Sequence, residues 1–115
     1  MQADRFFHLL SDPTRLRLTL LLARQGQLCV CELQHAIDEP QPKISRHLAM
    51  MREAGLVASE RRGQWVHYQL HPDLPEWSKA VIDRTLAGVG AQSPYAEDQE
   101  ALEQMPNRPG AACPA

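Results

Sequence analysis

Two prolines, Pro40 and Pro42, interrupt a stretch of helical periodicity in this chain. Proline lacks a backbone N–H and disfavours helical geometry in the residue before it, so one continuous helix is excluded here. The sequence therefore predicts two short helices joined by a tight connection, one from about Cys29 to Ile37 and one from about Pro42 to Glu53. Gly55 follows the second helix, where glycine is a favoured C-terminal cap.

The second of these helices has an apolar side and a basic side. Ile44, Leu48 and Met51 recur at the spacing of a helical stripe that faces a core. Lys43 and Arg46 fall on the opposite side, which must face outward. Two short helices joined by a tight turn, with the second basic on its exposed side, indicate a helix-turn-helix.

Two strands are predicted next, from Leu56 to Glu60 and from Trp65 to Leu70. The turn between them contains Gly63, and Arg61 and Arg62 stand at its tip, which indicates a β-hairpin. A hairpin that follows a helix-turn-helix is a wing, able to reach an adjacent groove or phosphate backbone. The predicted fold class is mostly α with a small β-hairpin, a winged helix-turn-helix.

Further helices are predicted on both sides of this unit, over residues 3–10, from about Pro13 to Arg24, and from about Pro75 to Val89. The first and last carry more apolar surface than one small domain needs, so we expect a homodimer. Its surface would comprise Phe6, Phe7, Trp77, Val81, Ile82 and Leu86. Residues 1–90 would form the DNA-binding and dimerisation domain, and residues 91–115, acidic and containing prolines, a mobile tail.

Charge is distributed unevenly along the chain, whose formal net charge is −2. Residues 41–71 carry five basic side chains against two acidic ones, whereas residues 92–115 carry four acidic side chains against Arg108. Because phosphate contacts depend on the charges at the contact face, the basic cluster favours double-stranded operator DNA as a partner. A merely solvated charged face is the alternative, weakened by the convergence of these residues on one helix and one hairpin tip. The candidate DNA-contacting residues are Gln41, Lys43, Ser45, Arg46 and His47 in the helix and Arg61, Arg62 and Gln64 in the wing.

The chain has three cysteines, Cys29 and Cys31 as a close pair and Cys113 near the end. Thiolates are soft ligands that suit ions such as trivalent arsenic or antimony, and the start of a helix is expected to lower their pKa. On a regular helix, side chains two residues apart point about 200° apart, whereas in an extended segment they share a face. Binding of one ion by both thiols should therefore unwind the start of the helix. Two other interpretations stay open on the residues alone, small buried hydrophobic residues and a dithiol redox pair.

Three segments in order, Leu28–Leu33, Gln41–Leu48 and Gly63–Tyr68, resemble the ArsR family of bacterial metalloregulatory repressors. Asp12-Pro13-Thr14-Arg15 fits the same family, and the resemblance covers residues 4–90. It implies a winged-helix homodimer that represses a resistance operon and releases DNA when it binds a metal or metalloid. Cys29 and Cys31 would be ligands of trivalent arsenic or antimony as inducer, with no organic cofactor.

The sequence departs from the family at its ligand positions. Arsenic-binding members commonly have a third cysteine where this chain has Gln34. The third ligand would then be Cys113, a cysteine of the partner subunit or a small thiol. Zinc-sensing members use Asp and His on the last helix, and this helix has Asp83 without a histidine, so that zinc site is not expected.

Other function classes fit less of the pattern. The same fold could sense cadmium or lead ions, or the oxidation of thiols. Cadmium and lead normally require four ligands or more, whereas only two cysteines of this chain are close together in sequence. A small thiol enzyme would need a phosphate-cradling loop or a C-x-x-C beside a strand, and the sequence has neither. The longest apolar run, Leu18–Ala23, is too short to span a membrane, and no secretory cleavage pattern is present, so we expect a cytoplasmic protein with no membrane partner.

Overall fold

A computed structural model describes residues 1–108 of the chain. These residues form six helices and three strands. In chain order they are α1 (Ala3–Leu10), α2 (Pro13–Gln25), β1 (Gln27–Cys29), α3 (Val30–Ile37), α4 (Gln41–Glu53), β2 (Val57–Arg62), β3 (Trp65–Leu70), α5 (Glu76–Val89) and α6 (Tyr95–Glu103).

Helix α2 is the centre of the molecule. The carboxylate of Asp12 caps it by accepting a hydrogen bond from the backbone N–H of Arg15 at 3.0 Å. Leu18 and Leu22 are fully buried, because α2 is covered by the other helices and by the sheet. Within residues 1–108, no helix is long and apolar enough to cross a membrane.

Helices α3 and α4 form the predicted helix-turn-helix. Asp38 closes α3 in the left-handed conformation, with φ of 57°. The core stripe of α4 is confirmed, since Ile44, Leu48 and Met51 are completely buried. The predicted wing is also present as β2 and β3, which pair in antiparallel register.

The sheet has a third strand that the sequence did not predict. Its strand order is β1-β3-β2, and β1 pairs antiparallel with β3, Cys29 lying opposite His67. A strand of three residues is too short to show an alternating pattern, and its partner lies far along the chain. Cys29 therefore belongs to the end of β1, in an extended conformation, and α3 begins at Val30 rather than at Cys29.

The structure has a helix, α6, in the segment after residue 90 that was expected to be a mobile tail. Leu102 is completely buried, and the carboxylate of Asp98 forms an ion pair with Arg17 at 2.6 Å. A helix of nine residues is marginal alone, so its stability comes from packing on α2 and α3, which sequence periodicity does not reveal. Residues 109–115, the remainder of the predicted tail, lie outside the described residues.

We predict that Asp98→Ala lowers the free energy of unfolding by about 1–3 kcal/mol. The change removes the partner of the Arg17 guanidinium, which also donates to the carbonyl of Ile37 at the end of α3. Urea denaturation followed by circular dichroism measures the effect. Glu100→Ala, at an exposed position of the same helix, is the control and should change stability by less than about 0.5 kcal/mol. Equal stability of the two variants would contradict the structural role of the pair.

Candidate functional site

The outer side of α4 carries most of the predicted DNA-contacting residues. Gln41 and Arg46 are exposed, while Lys43 and Ser45 are partly exposed. The ammonium of Lys43 lies 3.2 Å from the carboxylate of Glu39, one turn earlier. Such surface ion pairs contribute little stability, so Lys43 can exchange this partner for a phosphate at small cost.

Met50 is a surface residue of α4 that the sequence reasoning did not single out. Its side chain is 42% exposed, and it lies one helical turn beyond Arg46, on the same side. An exposed apolar side chain beside a basic one can contact the methyl group of thymine in a major groove. The sequence does carry a signal for this position, because Met50 follows Arg46 by four residues and therefore lies on the same side of the helix.

His47 does not point outward with Arg46. Its Nε2 lies 3.9 Å from the carboxylate of Asp12, and its Nδ1 lies 3.4 Å from Arg15 Nη1. Burial lowers the pKa of His47, and the positive charges of Arg15, Lys43 and Arg46 add to this, while Asp12 opposes it. The position of His47, which ties α4 to the start of α2, therefore does not support the DNA contact expected from the sequence.

Arg15 is a positioning residue that the sequence analysis did not identify. Its side chain is buried, and its Nε donates to the backbone carbonyl of Leu9 at 2.8 Å. The same guanidinium reaches the carbonyl of His8 and the ring of His47. Arg15 thus holds the end of α1, the start of α2 and the middle of α4 together, and it fixes the orientation of the basic helix.

The wing carries its two arginines on different faces. Arg61 lies opposite Val66 and Arg62 opposite Trp65, and successive residues of a strand point to opposite sides. Arg61 donates to the carbonyl of Gly63, and Arg62 lies 3.4 Å from the carboxylate of Glu60. Only one of the two arginines can therefore face a given surface at the wing tip, whereas Gln64 lies in the turn itself.

The thiols of Cys29 and Cys31 are neighbours at the junction of β1 and α3. Cys29 is 1% exposed, whereas Cys31, in the first turn of α3, is half-buried. Burial raises the pKa of the Cys29 thiol to about 12, and its hydrogen bond with Cys31 adds to the rise, although the backbone N–H of Glu32 opposes it. The expected lowering of this pKa by the helix start is therefore wrong for Cys29, because loss of water outweighs the helix terminus.

This junction also removes the need to unwind α3. Cys29 precedes the helix in an extended conformation, so the angular separation of side chains within a regular helix does not apply to the pair. Cys29 and Cys31 line the same groove while α3 is intact. An ion bound by both would act on a junction that is formed in advance.

Glu32 stabilises this junction from inside the protein. Its carboxylate is completely buried and accepts a hydrogen bond from the backbone N–H of Cys29 at 2.9 Å. The second oxygen pairs with the guanidinium of Arg108, which follows α6. The start of α3 is thereby linked to the chain beyond α6.

Cys31 opens onto two grooves. The wing-side groove, of about 330 Å³, is lined by both cysteines with Val30, Gln34, Gln41, Gln64, Trp65 and Val66. The α6-side groove, of about 500 Å³, is lined by Cys31 with Gln34, His35, Ala36, Asp38, Ala101 and Met105. Among residues 1–108, no three His, Cys, Asp or Glu side chains converge as a metal-binding group. This part of the chain offers a two-thiol site, and Cys113 lies outside the described residues.

The proposed dimer surface is only partly exposed. Phe6 and Ile82 are buried within the chain, so they support the surface from below rather than form it. Phe7 is 51% exposed and Trp77 is 39% exposed, with their ring centroids 6.5 Å apart. Val81 and Leu86 are half-buried on α5.

Comparison with known proteins identifies the family. Residues 12–59 match the family described as bacterial regulatory protein, arsR family. Over 105 residues the chain is 51% identical to the arsenic resistance transcriptional regulator ArsR1 of Pseudomonas putida, a match that covers 90% of this chain and 79% of that protein. The chain belongs to the ArsR family.

Two further similarities agree with this assignment. The arsenical resistance operon repressor of Escherichia coli is 52% identical over 79 residues, which cover 69% of this chain and 68% of that protein. The crystal structure of the AntR antimony-specific transcriptional repressor matches with a TM-score of 0.64 at 26% identity, covering 88% of this chain and 80% of that one. This ArsR-family chain is a winged helix-turn-helix transcriptional regulator.

We predict that iodoacetamide at pH 8 modifies Cys31 much faster than Cys29. Alkylation requires the thiolate and access to it, and Cys29 lacks both because it is buried and its pKa is raised to about 12. Peptide mass spectrometry over time measures the two rates separately. Cys31→Ser is the informative control, since Cys29 should stay slow in this variant. Equal rates in the parent protein would contradict the buried position of Cys29.

Proposed function

We propose that this regulator is a repressor that binds operator DNA as a homodimer and releases it when trivalent arsenic or antimony binds Cys29 and Cys31. The observation that carries the proposal is the pair of cysteines that line one groove at the start of α3, the first helix of the helix-turn-helix. Soft thiolate donors suit these ions. The names of the related proteins, which refer to arsenic and antimony, support the same ligand class.

The high pKa of Cys29 is compatible with binding of trivalent arsenic. Arsenous acid exchanges hydroxide for thiolate, and each thiol proton leaves with a hydroxide as water. The bound group then carries no net charge at the two sulfur atoms. A neutral product is less costly to bury than a thiolate anion, so a dehydrated thiol can serve as a ligand.

The site is connected to both DNA-binding elements. Cys29 ends β1, which pairs with wing strand β3, and Cys31 belongs to α3, which packs against α4. An ion that draws the two sulfur atoms to bonding distance shifts β1 relative to α3. A difference in DNA affinity of about 5–150-fold corresponds to a coupling of roughly 1–3 kcal/mol, which is typical of allostery.

The homodimer is proposed to form through α1 and α5. Phe7 and Trp77 provide exposed aromatic surface, and the buried Phe6 packs edge-on against both rings, which holds them in place. A two-fold dimer presents two basic helices to a two-fold operator.

In this proposal, the third arsenic ligand comes from a group other than the two thiols. Cys113 follows Arg108 by five residues, and five residues span at most about 17 Å when extended. Since Arg108 pairs with Glu32, the residue next to Cys31, Cys113 is a candidate within reach. A partner-subunit cysteine or a small thiol is the alternative source.

We predict that Arg46→Ala weakens operator binding by about 1–3 kcal/mol without changing thermal stability, since Arg46 is exposed on α4 and is proposed to contact a base or phosphate. Fluorescence anisotropy at several salt concentrations measures affinity and salt dependence. Arg84→Ala, an exposed arginine on α5, is the matched control and should change neither. An unchanged affinity and salt slope in Arg46→Ala would mean that the basic side of α4 is only solvated.

We predict that Cys29→Ser and Cys31→Ser each retain operator binding but no longer release DNA with arsenite. Serine has a similar size but replaces a soft donor with a hard, protonated hydroxyl. The measurement is operator binding with and without arsenite. Cys113→Ser tests the third ligand, and a partial loss of response would identify it.

Two outcomes would contradict this proposal. Release by arsenite as in the parent protein would remove the two cysteines from sensing. Loss of operator binding without any arsenite would mean that the thiols serve only as buried packing residues.

A further inference from the structure

We propose that Arg108 is a positioning residue for operator binding, which acts by holding the buried carboxylate of Glu32 at the start of α3. The inference rests on the operator binding of the proposed function, but not on the ligand that the cysteines bind. It gives the chain that follows α6 a role in DNA binding, although none of the expected DNA contacts lies there.

Glu32 carries a negative charge inside the protein, and Arg108 neutralises it. The Glu32 carboxylate is completely buried, and one of its oxygens accepts a hydrogen bond from the backbone N–H of Cys29. Its second oxygen pairs with the Nε of Arg108. A buried carboxylate is stable only when it is paired and hydrogen-bonded, and removal of one partner leaves an uncompensated charge. The position of this carboxylate therefore depends on Arg108.

The pair of Arg108 and Glu32 is not what docks α6. That helix is held by the completely buried Leu102 and by the ion pair between Asp98 and Arg17. Arg108 lies beyond the end of α6, outside the helices and strands, and its side chain is 28% exposed. The buried member of the pair belongs to α3. Loss of Arg108 should therefore affect the start of α3 more than the packing of α6.

The start of α3 lies between the two DNA-binding elements. Strand β1, which ends at Cys29, pairs with wing strand β3, and α3 packs against α4. Without Arg108, the Glu32 side chain would turn toward water and release the backbone N–H of Cys29. Because protein interiors are close-packed, a shift at this junction is transmitted to the elements in contact with it. The basic helix and the wing would then lose the relative position in which both reach DNA.

A direct phosphate contact is the other role that an arginine can have in DNA binding. Each phosphate contact adds about one unit to the salt dependence of the affinity, whereas a residue that acts through another adds none. The guanidinium of Arg108 is engaged by Glu32. Its removal should therefore lower the affinity for DNA without changing the salt dependence.

The test measures binding of the full chain to a fluorescein-labelled duplex from the region upstream of its own gene, by anisotropy at several salt concentrations. Arg108→Ala should weaken binding about tenfold, within the usual range of couplings between sites, and leave the salt slope unchanged. Arg108→Lys keeps the charge and should restore most of the affinity. Arg84→Ala, an exposed arginine on α5, is the matched control and should change neither quantity.

A double substitution tests whether Arg108 acts through Glu32. Glu32→Gln keeps an oxygen that can accept the N–H of Cys29, but it removes the charge that needs a cation. In this background, Arg108→Ala should have no further effect on DNA affinity. The double variant has no unpaired buried carboxylate, so it carries the test if Arg108→Ala alone does not fold.

The reactivity of Cys29 reports on the junction itself. Arg108→Ala should speed the alkylation of Cys29 by iodoacetamide about tenfold, because local opening gives the reagent access to the buried thiol. Cys31 is already half-buried rather than buried, so its rate should change less. Peptide mass spectrometry over time measures both rates, and Arg84→Ala should leave both as in the parent protein.

Three results would overturn the inference. Equal DNA affinity of Arg108→Ala and the parent protein would remove Arg108 from operator binding. A salt slope lowered by about one unit would make Arg108 a direct phosphate contact. The same loss of affinity with and without Glu32→Gln would mean that Arg108 acts through another group. Failure of the parent protein to bind the duplex would instead overturn the proposed function.

Discussion

The hydrogen bond from the backbone N–H of Cys29 to the buried carboxylate of Glu32 fixes the point where β1 becomes α3. Three features depend on this junction. It makes Cys29 the last residue of a strand, and Cys29 and Cys31 line the same groove. It joins β1 to the wing through β3, and through Arg108 it joins α3 to the chain that follows α6.

The same junction bears on the proposed sensing role of a buried thiol. A dehydrated Cys29 keeps its proton in the absence of ligand, which leaves the protein without an uncompensated buried charge. In the proposed function, exchange of hydroxide for thiolate on trivalent arsenic would remove the proton as water, so the site would be occupied without creating such a charge. Cys31, which is more exposed, is suited to make the first bond.

The DNA-binding side depends on a separate set of internal contacts. Buried Arg15 links the carbonyl of Leu9 in α1 to His47 in α4, and Asp12 lies on the other side of the His47 ring. These contacts hold α4 against the first two helices while Arg46 and Met50 remain outside. The basic helix is therefore positioned from its inner side, and its outer side is left for the operator.

The sequence by itself determined the helix-turn-helix and the wing, since Pro40, the stripe of Ile44 and Leu48, and the turn at Gly63 act through neighbouring residues. It also indicated the cysteine pair. Only the tertiary structure decided β1, the docking of α6 and the inward position of His47. Each of these depends on partners far along the chain, namely β3 for β1, Arg17 for Asp98 in α6 and Arg15 for His47. The raised pKa of Cys29 has the same origin, because burial by distant segments outweighs the local effect of a helix start.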